Sequence, residues 1–153
     1  MTTTLKQRLH DDLTAAMKSR DELRSATIRL TLSAITKEEV AGDTARQLSD
    51  DEVLKVIARE AKKRREAAEA FAQGGREQSA QREREEGEVL AEYLPKQLGD
   101  EELAGIVRSA IEESGASGPK AMGAVMKVVS PKVAGLAEGG RVAAEVKRQL
   151  AAG

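Results

Sequence analysis

The run Gly118-Pro-Lys-Ala-Met-Gly123 has the glycine spacing of a phosphate-cradling loop, and that chemistry needs a lysine and a hydroxyl directly after the second glycine. Ala124 and Val125 stand there instead, so nothing would reach the outer phosphates or a magnesium ion. His10 is the only histidine and cysteine is absent, which leaves no material for a Ser-His-Asp triad, a histidine-metal cluster or a thiolate nucleophile. The carboxylates Glu83, Glu85, Glu86 and Glu88 alternate with Arg82 and Arg84, the pattern of a solvated helix face rather than of a paired acid and base. No catalytic residue, metal site or cofactor is therefore expected.

Positive charge offers another chemistry. Residues 114–153 hold six basic side chains, Lys120, Lys127, Lys132, Arg141, Lys147 and Arg148, against Glu138 and Glu145, a local +4 in a chain of net charge −1. The amides opening the last helix, with Arg141, Lys147 and Arg148 on it and Lys120, Lys127 and Lys132 nearby, can form an anion site for a structured RNA backbone. Equally, Gly118, Gly123, Gly135, Gly139 and Gly140 can simply cap short helices and let them pack closely. The run Lys62-Lys63-Arg64-Arg65 points around more than half a helix circumference, so it reads as salt-bridged surface plus one buried arginine. Phe71 and Tyr93 are the only aromatic residues of the 153, which rules out a stacking platform for single-stranded nucleic acid.

Helices must position these groups, since a core of Leu, Ile, Val, Met and Ala favours them and no alternation of strand type occurs. Thr4-Leu-Lys-Gln7, Ser19-Arg-Asp-Glu22 and Ser49-Asp-Asp-Glu52 have the form of capping boxes. The second should open a central helix that buries two rows, Leu23, Thr27, Leu30, Ala34 and Ile28, Leu32, Ile35, before Gly42. The third starts a helix to about Gln73, with Val53, Val56, Ile57, Ala61, Ala68 and Phe71 inward and Lys55, Arg59 and Lys62 opposite. Arg64 falls among the inward positions and predicts a carboxylate against it, from Glu60 or from the next helix.

That next helix spans about Arg76 to Tyr93 and contains Gly87, which costs roughly 1 kcal/mol against alanine unless a neighbour comes close. Leu94-Pro95 breaks it. Beyond, Asp100 caps a helix with Leu103, Ile106, Val107, Ala110 and Ile111 on one face. Gly118-Pro119 and Ser130-Pro131 open a short helix and a further turn, and Gly139-Gly140 precede a last helix with Val142, Val146 and Leu150 inward. The expectation is an all-α chain, a bundle of about four helices over residues 1–95 and a small three-helix tail domain over 96–153. No signal peptide or membrane span is expected, because charges interrupt the start MTTTLKQRLHDDL every few residues, and the lack of cysteine suits a reducing cytoplasm.

The stretches AMKSRDELRSATIRLTLSAITKEEV, KKRREA, EYLPKQLGDEEL, AMGAVMKVVSPKVAG and EGGRVAAEVKRQL, in this order and spacing, resemble the GatB/YqeY family, specifically its stand-alone YqeY-like proteins. The resemblance covers essentially the whole chain and implies a helical bundle with a three-helix tail. In the B subunit of the glutamine-dependent tRNA amidotransferase the same modules follow a catalytic core, and the tail is implied to contact the elbow of tRNA. That implies an RNA contact at Met122, Gly123, Met126, Lys127 and the turn from Gly135 through Gly139 and Gly140 to Arg141. The turn reads Gly135-Leu-Ala-Glu-Gly139-Gly140 where the family usually has Gly-Arg-x-Asp-Gly-Lys, so two basic positions are replaced and Arg141 follows one residue later. Arg64 matches the family's arginine and Glu86 its glutamate, implying an ion pair between helices, while Gly87 replaces a usual leucine. The implied partner is tRNA or a tRNA-handling complex, without catalysis by this chain. The other readings are a protein-interaction adaptor and a carbon-nitrogen ligase with glutamine as amido-N-donor, the activity with which the family is associated.

Overall fold

The Thr4 hydroxyl accepts the Gln7 amide proton at 3.1 Å and so opens α1, Leu5–Lys18. Only this half of the expected box forms, because the Gln7 side chain donates to Asp11 at 2.9 Å. The structure is a computed structural model that describes residues 3–115 and 117–152, so the expected domain ends at Met1 and Gly153 lie outside it. Among the described residues there are seven α-helices, a single 3-10 turn and no strand.

The second cap is Asp21 rather than Ser19. Its carboxylate accepts from the Arg24 amide at 3.0 Å and starts α2, Glu22–Glu39, whereas Ser19 closes α1 and its hydroxyl donates to the Ala16 carbonyl. Helix α3, Asp50–Gln73, carries both halves of the Ser49 and Glu52 box. After Gly74 and Gly75 the chain returns as α4, Glu77–Ala91. Three tightened bonds, from the amides of Glu92, Tyr93 and Leu94 to carbonyls three residues earlier, unwind α4 before Pro95. The helix thus ends two residues before the expected Tyr93.

In the bundle, α2 packs against α1, α3 and α4, around Leu9, Ile28, Ile35, Val53, Val56, Ile57, Val89, Leu90 and Tyr93. One of the expected α2 rows is broken at Leu30, which is 51% exposed, while Thr27 is buried as expected and Thr31, from neither row, is buried with it. Their hydroxyls donate to the carbonyls of Leu23 and Thr27 at 2.8 and 2.9 Å, so neither enters the core unsatisfied.

The chain divides between Leu94 and Pro95. Leu94 still packs on the bundle core, which sets the division one residue before the boundary read from the sequence. The tail unit comprises α5, Asp100–Ser114, the 3-10 turn Pro119–Ala121, α6, Met122–Val133, and α7, Gly139–Ala152. Each of these helices packs on the other two around Leu103, Val107, Val125, Val129, Val142, Val146 and Leu150. Three details differ from the sequence reading. Gly99 rather than Asp100 occupies the cap of α5, α7 already begins at Gly139, and α6 runs through Pro131 without restarting at Ser130. Pro131 is tolerated because its ring lies on the exposed side, where the carbonyl it leaves without a donor can meet water.

Candidate nucleic-acid interface

Burial of Val142, Val146 and Leu150 fixes the rotation of α7. At about 100° per residue this puts Arg141 and Arg148 nearly in line on one flank, with Lys147 roughly 120° away on the other. Arg141 reaches Asp100 of α5 at 3.0 Å. Arg148 grips Glu145 at 2.6 and 2.9 Å, and Gln149 donates both to Glu145, at 2.6 Å, and to the Ala104 carbonyl of α5, at 2.9 Å. The Arg148 guanidinium, then the Gln149 amide, hold the Glu145 carboxyl down at about 2. That flank is a closed network against α5.

On α6 the inward side chains are Val125, Val129 and Val133, with Met122 and Met126 half-buried against the same core. Gly123 and Lys127, one turn apart, are exposed. Lys132 sits roughly 140° around the helix from Lys127 and pairs with Glu113 of α5 at 2.6 Å. Gly135, at φ +77°, turns the chain toward α7, and the Gln97 amide donates to its carbonyl at 3.1 Å. Gly139 and Gly140 are exposed in the first turn of α7.

The twelve residues expected at the interface therefore do not form one cationic ring. Lys132, Arg141 and Arg148 are each neutralised by a carboxylate of the same unit, whereas Lys120, Lys127 and Lys147 are exposed and have no ion pair among the described residues. The local +4 also shrinks once α5 is counted with its own unit: residues 96–153 hold eight basic and seven acidic side chains, a net +1. His10 is exposed on α1, and no group of three His, Cys, Asp or Glu side chains among the described residues is placed to hold a metal ion.

The family model described as Yqey-like protein matches residues 6–150. The chain belongs to the YqeY-like family. No curated protein matches it.

In this YqeY-like chain Arg64 lies on the α4-facing side of α3, 3.4 Å from Glu86 and 3.3 Å from Glu83, while Glu60 turns instead to Lys63 at 3.0 Å. Arg82 completes the cluster, reaching Glu86 at 3.0 Å and Glu22 of α2 at 2.9 Å. The reading of the α4 carboxylates as a solvated face is corrected at Glu83, which is nearly buried beside Glu86, the residue expected against Arg64; Arg64 supplies the countercharge that lets both enter. The sequence reading also missed Tyr93, whose hydroxyl donates to Asp12 of α1 while Arg8 lies over its ring at 4.7 Å. Burial first, and then the hydrogen bond to Asp12, push the Tyr93 phenol well above its ordinary range. No helix among the described residues is long and apolar enough to cross a membrane.

Proposed function

We propose that this YqeY-like chain is a non-catalytic cytoplasmic module that binds tRNA, or a complex handling tRNA, through the backbone of the nucleic acid. The observation that carries the reading is the set of three exposed lysines of the tail, Lys120, Lys127 and Lys147, which have no carboxylate partner among the described residues. Its context is the likeness of the tail to the RNA-contacting module of the amidotransferase B subunit. Lys132, Arg141 and Arg148 rank second because a phosphate would have to displace the carboxylate that each one holds.

Three phosphate contacts give a slope of log affinity against log salt of about −3, and six give about −5. Titration with tRNA at several salt concentrations, for the wild type and for Lys127→Ala with Lys147→Ala, tests the reading. The wild-type slope should be near −3 and become shallower by roughly 2 in the double variant. No binding at low salt, or a slope unmoved by the two substitutions, ends the proposal. Glutamine-dependent amide formation by the purified chain would instead favour the carbon-nitrogen ligase reading.

A further inference from the structure

Helix α2 distributes its charges unevenly between its two sides. Its acids turn toward the rest of the bundle: Glu22 meets Arg82 of α4 at 2.9 Å, Glu38 meets Arg59 of α3 at 3.6 Å and Glu39 meets Lys6 of α1 at 2.9 Å. The outward side presents Arg29, Leu30, Ser33, Thr36, Lys37 and, at the helix end, Val40, all exposed and none of them acidic. Neither Arg29 nor Lys37 has an ion pair among the described residues, and the Arg29 guanidinium rests on the Met17 sulfur of α1 at 3.0 Å. Lys18 and Arg20, which follow Met17, add two more cations with no ion pair among the described residues.

The apolar side chains fall in the same place. Met17, Leu30 and Val40, exposed by 45, 51 and 58%, are the large hydrophobic residues left open among those described; Met17 is on α1, Leu30 is on α2 and Val40 caps the end of α2. Arg29, Leu32, Ser33 and Thr36 line a shallow groove of about 440 Å³ along this side. Cations without countercharge and apolar groups without cover on one helix face ask for a ligand that supplies both. A nucleic-acid backbone would satisfy the cations and leave the three apolar side chains wet. A lipid surface would draw Ser33 and Thr36, in the middle of the face, toward hydrocarbon. A helix with carboxylates flanking an apolar stripe satisfies every group.

We propose that the outer side of α2, together with the end of α1, docks an acidic amphipathic helix of a partner protein. The test uses the full chain, isotope-labelled for NMR, and a designed peptide of about 18 residues with leucines on one stripe and glutamates beside it. Saturable shifts at Met17, Arg29, Leu30, Ser33, Lys37 and Val40 are expected, and a scrambled peptide of the same composition should not produce them. Arg29→Glu with Lys37→Glu should weaken binding by about tenfold or more, and Leu30→Ser by roughly fivefold, in variants whose helical circular dichroism is unchanged. No saturable shift on α2, equal binding of the scrambled peptide, or undiminished affinity of the charge-reversed variant overturns the proposal. So does perturbation of this face by tRNA, by phosphatidylserine vesicles or by a second copy of the chain in place of the peptide.

Discussion

Arg20 and Gly75 occupy the same position in two copies of one motif. After α1 the Asp21 amide donates to Ala16 at 2.9 Å and the Arg20 amide to Met17 at 3.2 Å; after α3 the Arg76 amide donates to Phe71 at 2.8 Å and the Gly75 amide to Ala72 at 3.1 Å. Both need a left-handed residue, and φ is +60° at Arg20 and +77° at Gly75. Glycine adopts that conformation freely, whereas a side chain at Arg20 crowds its own backbone. Arg20→Gly should therefore raise stability by about 1 kcal/mol, read as a higher urea midpoint at unchanged slope. A lower midpoint would mean that the Arg20 side chain contributes more than its backbone costs. The Glu145 carboxyl makes a second residue-scale claim. Its folded value, about 2, lies below its ordinary 4.5, so the stabilisation it gives is complete above 4.5 and drains away as pH falls toward 2. Acid unfolding followed through tail-unit amides should thus steepen in that window, and Glu145→Gln should remove the steepening while costing stability at neutral pH.

Along α3 and α4 the pairing changes character from apolar, at Val56, Ile57, Val89 and Leu90, to ionic, at Arg64, Glu83 and Glu86, and back to small residues at Ala68 and Ala80. Gly87 lies inside that ionic stretch, and a β-carbon there would meet the Arg64 Cβ at 3.8 Å, an ordinary contact. Close approach does not account for the glycine. Gly87→Ala should stabilise the bundle by about 1 kcal/mol and lift its melting temperature by about 4–8 °C; a fall would show that the helices shift to admit the methyl. The helix inventory was legible from Thr4, Ser49, Gly74 and Pro95, because caps and breakers act within one turn of chain. Thr27 was legible as an inward residue of α2, but the exchange of Leu30 for Thr31 was not, since Thr31 can hide its hydroxyl against its own helix and Leu30 can be left outside only when three neighbours have claimed the other side. The tail cations were legible as residue types but not as free or neutralised, because Asp100 and Glu113 come from a helix many residues earlier.

Each unit closes its own hydrophobic core, one drawn from α1 to α4 and the other from α5 to α7. The charge balance differs too, with seventeen basic and nineteen acidic side chains over residues 1–95 against eight and seven over 96–153. The two proposed interactions are therefore assigned to different units, a nucleic-acid backbone to lysines of the tail and an acidic helix to the outer side of α2. Separation of this kind has a thermodynamic signature, because a cavity in one core removes contacts only from the helices that line it. Val107 is fully buried in the tail core, and Val107→Ala should cost about 2 kcal/mol there. Native-state hydrogen exchange should show the loss as faster exchange of amides in α5, α6 and α7, by roughly thirtyfold at 2 kcal/mol, while Ile28, Ile57 and Leu90 keep wild-type protection. Ile57→Ala should give the reverse map. If either substitution lowers protection in both units alike, the chain unfolds as one cooperative body, and binding at α2 and at the tail would have to be treated as coupled.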